Sequence, residues 1–442
     1  MRQIQPLTLR HNFSWTFLGN VVYAACQWGI VVILAKLGTP EMVGQFTLGF
    51  AITAPVILLT NLQLRTVQVT DAKQSYGFND YLGLRLITTS IALLVILGVV
   101  CVVNYRWETT LIILLVALAK AVESFSDVLY GLLQQHERMD RIAISMMIKG
   151  VLSILLLSAG LYFTGTIIGG VIGLLVAWTI VLVGYDSCNG LMLLHYLQGN
   201  TLPLSAKNFH LKAVMWPRWH LKTLLRLLWL SLPLGFVMML ISLNTDIPRY
   251  FIERQLGERE LGIFAAIAYL MVIGNMLVNA LAEAANTRLA RYYAEGKRHE
   301  FQALLFKLMG IGAGLGIVAL LVALVAGKPI LAIIYQPEYA QYSDLLVWLM
   351  VAAGIGYIAS FLGYSMSAVR YFRVQIPLFI GVTGASALSC IWLIPLLGLK
   401  GAAIALIIGA IVRLSISSGV VFHAIYKLRK QTQASIESSV IS

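Results

Sequence analysis

The sequence predicts an all-α polytopic membrane protein, with about twelve transmembrane helices in two six-helix lobes, on three observations. Of its 442 residues, 59% are hydrophobic and only 12% are charged, with mean hydropathy +0.83. A soluble domain of this length needs far more charge to cover its surface. Apolar runs of about 20 residues recur along the chain, each long enough to cross the roughly 30 Å hydrocarbon layer of a bilayer. The pattern of the first half also returns in the second. Backbone groups in lipid must be satisfied within the segment, so runs this long are helices and not barrel strands.

The spans fall at 12–35, 42–64, 83–104, 109–134, 142–163, 166–195, 224–247, 260–284, 303–326, 343–365, 372–394 and 402–424. The first carries Asn12, Thr16, Asn20, Tyr23 and Gln27 at helical spacing. The fourth, "LAKAVESFSDVLYGLLQ" over 118–134, places Lys120, Glu123 and Asp127 where lipid is expected. Lys149 lies about two turns into the fifth. The eighth carries Asn275, Asn279, Glu283 and Asn286, and Arg413 stands midway along the twelfth with Ser417 one turn on.

With both termini cytoplasmic, 22 of the 32 Lys and Arg residues fall on inner segments and seven on outer ones. The other three, Lys120, Lys149 and Arg413, lie inside spans. The formal charge of +13 is thus mostly a topology signal for a multi-pass inner (cytoplasmic) membrane protein. Nucleic-acid binding would need a soluble basic domain, and the chain has none. The four cysteines (Cys26, Cys101, Cys188, Cys390) lie in or beside spans without metal-ligand spacing and read as small packing residues. "VYAAC" at 22–26 has the look of a lipoprotein cleavage site, but Asn12, Asn20 and Tyr23 spoil the apolar core of such a signal, so an uncleaved first span is expected.

The halves repeat. "LGTPEMVGQF" at 37–46 matches "LGERELGIF" at 256–264, and the offset of 218 that follows pairs Asn61 with Asn279 and Arg65 with Glu283. "FTGTIIGGVIG" at 163–173 is echoed by "LKGAAIALIIG" at 399–409. An even number of spans per copy gives both copies one orientation. The expected division is an N-terminal lobe over 1–200, a basic cytoplasmic linker with an interfacial helix over 201–223, and a C-terminal lobe over 224–442. The linker is rich in Lys, Arg and Trp, which suits a helix lying on an anionic leaflet; a ligand-binding loop is the alternative. Two similar lobes without a sizeable soluble domain suit a transporter that rocks about their interface.

At 100° per residue, Lys120, Glu123, Ser124, Asp127, Gly131 and Gln134 fall within an arc of about 100°. Leu118, Val122, Phe125, Leu129, Leu132 and Leu133 take the opposite side, where lipid is expected. A charge at the bilayer centre costs roughly 2.5–3.5 kcal/mol or more, so such residues mark a pathway by default. A Lys120–Glu123 or Lys120–Asp127 pair that only neutralises itself fits the same spacing. Several polar stripes in both halves favour a shared wet cavity. Cations inside spans invite a phosphate, whereas an exporter of cations would favour carboxylates and aromatics. No P-loop, HExxH, GxSxG or loop-borne acid pair is present, so neither an enzyme nor a cofactor is expected, and the energy comes from a gradient, substrate turnover or a partner.

Three stretches together carry a resemblance: "LGTPEMVGQFTLGFAITAPVILLTNLQLR" running on into "TVQVTD", "GLLQQHERMDRIA", and "SLPLGFVMMLISLNTDIPRYFIERQLGERELGIFAAIAYL". Over nearly its whole length the chain resembles Wzx-type polysaccharide (O-antigen) flippases of the multidrug/oligosaccharidyl-lipid/polysaccharide exporter superfamily. The resemblance implies two six-helix lobes in a V, alternating access, and transfer of an undecaprenyl-diphosphate-linked oligosaccharide from inner to outer leaflet, with polysaccharide polymerase or assembly proteins as partners. The chain departs from lipid II flippases, which carry two further C-terminal spans; its end at "KLRKQTQASIESSVIS" points away from a peptidoglycan role.

The residues take expected roles on that reading. Lys120, Lys149 and Arg413 bind the diphosphate. Arg65, Arg85 and Arg288 stand at the cytoplasmic mouth, with snorkelling to lipid phosphates as the plain alternative. Asn20, Gln27, Asn61, Asn275 and Asn279 face the sugars. Glu123 and Asp127, one turn apart in low dielectric, cannot both ionise cheaply, so one is expected to exchange a proton and couple a gradient to binding, with Glu283 as the counterpart in the other half. Two rivals stand beside this: an ion-coupled drug or cation antiporter on the same scaffold, which predicts a carboxylate-dominated cavity, and a membrane polymerase or ligase, which needs a large outer loop.

Overall fold

The computed structural model describes residues 7–71, 75–197, 216–369 and 371–441, which are helical throughout except at turns and contain no strand among the described residues. The chain divides into two compact units, Met1–Ser242 and Leu243–Ser442. Among the described residues, eleven helical spans are long and apolar enough to cross a membrane. A twelfth helix of similar length, Trp107–Gln135, is the one that carries Lys120, Glu123 and Asp127. The protein is therefore an all-α polytopic membrane protein of about twelve spans.

In the N-terminal unit, α1 (Leu9–Leu37) is followed by a cap in which Thr39 accepts the Met42 amide at 3.4 Å and Pro40 opens α2 (Pro40–Asn61). The second span then breaks. Leu62 and Gln63 both take left-handed backbone conformations, with φ of 54° and 50°, and the chain restarts as the short α3 (Leu64–Thr70). A left-handed non-glycine residue costs roughly 1–2 kcal/mol, so two in succession mark a break held by its surroundings. Next come α4 (Phe78–Val103), α5 (Trp107–Gln135) and α6 (Met139–Thr164). The sixth span is α7 (Ile167–Val181), one π-helical turn (Leu182–Asp186) and α8 (Ser187–Leu197). Glycines let α6 and α7 touch through their backbones: a Cβ on Gly160 would stand 2.2 Å from the Gly169 carbonyl oxygen.

The N-terminal part of α9 (Leu221–Leu256) belongs to this unit, and Leu224 and Leu227 pack with Leu62, Leu64, Tyr81, Leu84 and Val128. Much of the expected linker, 198–215, lies outside the described residues. Trp216–His220 runs without regular structure, and its Arg218 amide bonds the Asn79 carbonyl at 3.1 Å beside Gly83.

The apolar side of α5 does not face lipid along its length. Leu118 is exposed, but Leu129, Leu132 and Leu133 are buried, and α5 packs against α2, α3, α4, α6, α7 and α8. A helix that carries charges into a bilayer is cheapest where protein surrounds it on every side.

The C-terminal unit begins in the rest of α9. Gly257, at φ 97°, turns the chain into α10 (Glu258–Tyr269), which runs on through α11 (Met271–Ala294). There follow α12 (Arg298–Ile334), a 3₁₀ turn (Pro337–Tyr342), α13 (Ser343–Ala368), α14 (Phe372–Leu397) and α15 (Leu399–Ile441). Its core joins Val278, Leu289, Phe301, Tyr357, Phe361 and Val382. Phe163, Val325 and Trp392 stay exposed, as a lipid-facing surface requires.

Candidate functional site

The charged stripe of α5 opens on a cavity of about 690 Å³ within the N-terminal unit, lined by residues of α1, α2, α3, α5 and α6. Lys120 Nζ lies 2.8 Å from Glu123 Oε2, one turn along the same helix, and Lys149 Nζ reaches Glu123 Oε1 from α6 at 3.9 Å. Tyr23 of α1 donates its hydroxyl to Glu123 at 3.3 Å. Asp127 is held at 2.9 Å by Arg85 of α4 and at 3.9 Å by Arg65 of α3.

The broken second span shapes this cluster. Asn61 ends α2, so its carbonyl has no partner further along that helix. Arg85 donates to that carbonyl at 3.2 Å and also to the Asn61 side-chain oxygen, which Ser124 bonds at 2.8 Å. A guanidinium at a helix C-terminus also meets the favourable end of its dipole. Arg65 donates to Gln134 at 2.8 Å. Gly131 lets α3 lie this close, since a Cβ there would sit 2.3 Å from Gln68 Oε1 and 3.5 Å from the Arg65 Cα.

Aromatic rings hold the cations from behind. Lys120 lies over Phe50 and Trp178, at 5.1 and 5.3 Å from the ring centres. Lys149 lies over Tyr130 and Trp178, at 5.3 and 5.6 Å, and Arg65 over Tyr130 at 5.6 Å. A ring face attracts a cation without cancelling its charge. Four cations thus surround two carboxylates.

The structure gathers Lys120, Lys149, Glu123, Asp127, Arg65, Arg85 and Asn61 in one place, but not in all the expected postures. Arg85 is fully buried and pinned, not poised at an open mouth. Arg65 joins the same cluster. Glu123 and Asp127 do not share one counter-charge: each has its own pair of cations, so the mutual repulsion expected from their spacing is offset locally. Asn20 is exposed on α1 and Gln27 is half-buried; neither lines the cavity.

Arg413 and Asn275 line a separate cavity of about 250 Å³ inside the C-terminal unit, together with Asn244, Arg249 and Ser386. Arg413 sits over the Phe379 ring at 5.8 Å, and Arg249 pairs with Asp246 at 2.7 Å. Asn279, Glu283 and Arg288 are exposed on α11, outside that lining. Sequence reasoning missed Tyr130 and Trp178. Tyr130 was within reach, three residues beyond Asp127 on the same face of α5; Trp178 comes from another span, and only folding brings it to the lysines.

Residues 9–287 match the family described as "Polysaccharide biosynthesis protein". The "Capsular polysaccharide biosynthesis protein CapF" of Staphylococcus aureus is 30% identical over 409 residues, covering 91% of this chain and 96% of that protein. Among solved structures, the lipid II flippase MurJ in an inward closed conformation superposes with a TM-score of 0.72 at 12% identity, over 93% of this chain and 89% of that one. An inward-facing multidrug resistance MATE family transporter gives a TM-score of 0.70 at 14% identity, over 94% and 99%. At such identities these two likenesses are of fold.

Proposed function

Because the chain belongs to the polysaccharide biosynthesis protein family, we propose that it is a flippase moving an undecaprenyl-diphosphate-linked oligosaccharide from the inner to the outer leaflet by alternating access. The observation that carries this reading is the ion-pair cluster beside the membrane-embedded cavity, where Arg65, Arg85, Lys120 and Lys149 pair with Glu123 and Asp127, and of these cations Arg65 and Lys149 line the cavity itself. A diphosphate must cross a dry barrier with its charge, and fixed cations replace the water it leaves. An exporter of cations would need the opposite balance.

Lys120 and Lys149 are the diphosphate ligands of the N-terminal unit, and Arg413 is the anion-binding group of the C-terminal unit. Arg65 and the exposed Arg288 draw the headgroup from the cytoplasmic side, while Arg85 holds Asp127 and Asn61 in place. Asn61 and Asn275, each lining the cavity of its own unit, meet sugar hydroxyls. The glycan is a repeat unit of a capsular or related surface polysaccharide, the chemistry in the name of the S. aureus relative, and polymerase or assembly proteins receive it. The setting is a bacterial cytoplasmic membrane with both termini inside. Protonation of Glu123 would weaken its hold on Lys120 and free the ammonium for the diphosphate, which couples a gradient to binding; Asp127 and Glu283 are further carriers.

Complementation tests the reading. In a flippase-null strain, the chain restores surface glycan and clears the accumulated lipid-linked oligosaccharide, read by mass spectrometry. Continued accumulation at normal protein levels, with a cognate repeat unit supplied, would count against it.

A further inference from the structure

The ion pairs of the cavity are unequal. Glu123 is 2.8 Å from Lys120 but 3.9 Å from Lys149, and Asp127 is 2.9 Å from Arg85 but 3.9 Å from Arg65. Short, hydrogen-bonded contacts take most of a carboxylate's charge. Lys149 and Arg65 therefore hold the longer and weaker of these ion pairs, with the buried Asp186 carboxylate also acting on Lys149.

Both sit over the ring of Tyr130. That ring attracts each of them and stands as a fixed spacer against their mutual repulsion. It is anchored from behind. Ser145 Oγ, on α6, lies 2.7 Å from the Tyr130 hydroxyl and donates at 2.5 Å to Asp186 Oδ1. Since Ser145 spends its proton on the carboxylate, Tyr130 is the donor to Ser145. Ser145 and Asp186 are fully buried, and Asp186 ends the π-helical turn, a local rewinding of the kind that re-aims a side chain. A rigid chain of hydrogen bonds thus fixes the ring that holds the two cations.

We propose that Tyr130 is a positioning residue that presents Lys149 and Arg65 as a spaced pair of weakly paired cations, and that this pair selects a diphosphate over a monophosphate. The proposal deepens the flippase reading and rests on it for the anion. A diphosphate offers one phosphoryl group to each cation; a monophosphate engages one cation and leaves the other unmatched.

The test uses the full-length protein in phosphatidylcholine nanodiscs, with lysine labelled at Cε, titrated with inorganic pyrophosphate and with orthophosphate. The Lys149 resonance is assigned by its loss in Lys149→Arg. The wild type is expected to prefer pyrophosphate and to show Lys149 shifted upfield by ring current. Tyr130→Phe keeps the ring and the upfield shift but loses the anchoring hydroxyl, so its pyrophosphate preference falls part of the way toward that of Tyr130→Leu. Tyr130→Leu moves the Lys149 signal toward the free-lysine position and weakens pyrophosphate binding roughly tenfold, with orthophosphate affected far less. A merely structural role would weaken both anions alike, and that result, or an unchanged preference in Tyr130→Leu, overturns the proposal. A wild type that binds neither anion defeats the diphosphate reading and the selection with it; the Lys149 signal still decides separately whether Tyr130 positions that lysine. Should Tyr130→Leu not fold, Arg65→Gln replaces it: the preference must vanish while orthophosphate still binds, and a retained preference overturns the proposal.

Discussion

In the N-terminal unit, Arg85 and Asp127 are locked in a network that reaches Asn61, Ser124, Arg65 and Gln134 around a cavity of about 690 Å³. In the C-terminal unit, the cavity of about 250 Å³ holds Arg413 against an aromatic ring, with no carboxylate within ion-pair distance among the described residues. Both place arginine inside a membrane-embedded fold, yet the consequences differ. A networked charge supports its neighbours, and removing it strands their buried polar atoms. An unpaired one supports little and is retained at a cost, which points to a ligand. Arg85 is thus a structural arginine, whereas Arg413 is the one proposed to meet a ligand.

Substitutions can break this contrast. The largest effect is expected from Arg85→Met, which leaves Asp127 and Asn61 unmatched and lowers stability by about 3–5 kcal/mol, read by thermal unfolding in detergent. Arg413→Met changes stability by less than about 1 kcal/mol but cuts glycan export at least tenfold; the separation of the two readouts is the point. Equal stability losses would erase the distinction. Lys120→Ala and Lys149→Ala each lower export at normal protein levels, and Lys120→Arg retains it if charge alone matters. Glu123→Gln and Asp127→Asn separate coupling from structure in proteoliposomes: Glu123→Gln, which mimics the protonated form, loses its response to an imposed pH gradient, while Asp127→Asn also loses stability through Arg85.

Two smaller tests concern packing. Gly131→Ala displaces the buried Gln68 side-chain amide and costs about 1–3 kcal/mol, whereas Gly384→Ala on α14, with nothing within 4 Å of the added methyl, is neutral or stabilising by up to about 1 kcal/mol. The smallest effect is expected at the break after α2. Gln63→Gly relieves one left-handed residue and stabilises by about 0.5–1 kcal/mol, measured by the same unfolding assay.

Span number and placement were legible because crossing a bilayer demands about 20 apolar residues, a constraint the sequence cannot hide. Lys120, Glu123 and Asp127 could be grouped because helical spacing is fixed by geometry. The partners of those charges were not legible: Arg85 comes from another span, and nothing along the chain shows that it reaches Asp127 and not the cytoplasmic surface. The break at Leu62 and Gln63 carries no glycine or proline at the turn to announce it. It forms because Arg85, Gly131 and the core around Leu62 and Leu64 hold it from elsewhere. Asn279, Glu283 and Arg288 follow the same periodic logic as α5 but stand exposed on α11, since periodicity finds a polar face without saying what that face meets.

The central claim, that weakly paired cations of the N-terminal unit carry a diphosphate, is tested most directly by leaflet transfer in proteoliposomes. The substrate is one oligosaccharide attached to undecaprenyl through either a diphosphate or a monophosphate. The wild type is expected to transfer the diphosphate-linked form and little of the monophosphate-linked form, and Lys149→Met is expected to lose the difference. Equal transfer of both forms by the wild type, or an undiminished difference in Lys149→Met, would contradict it.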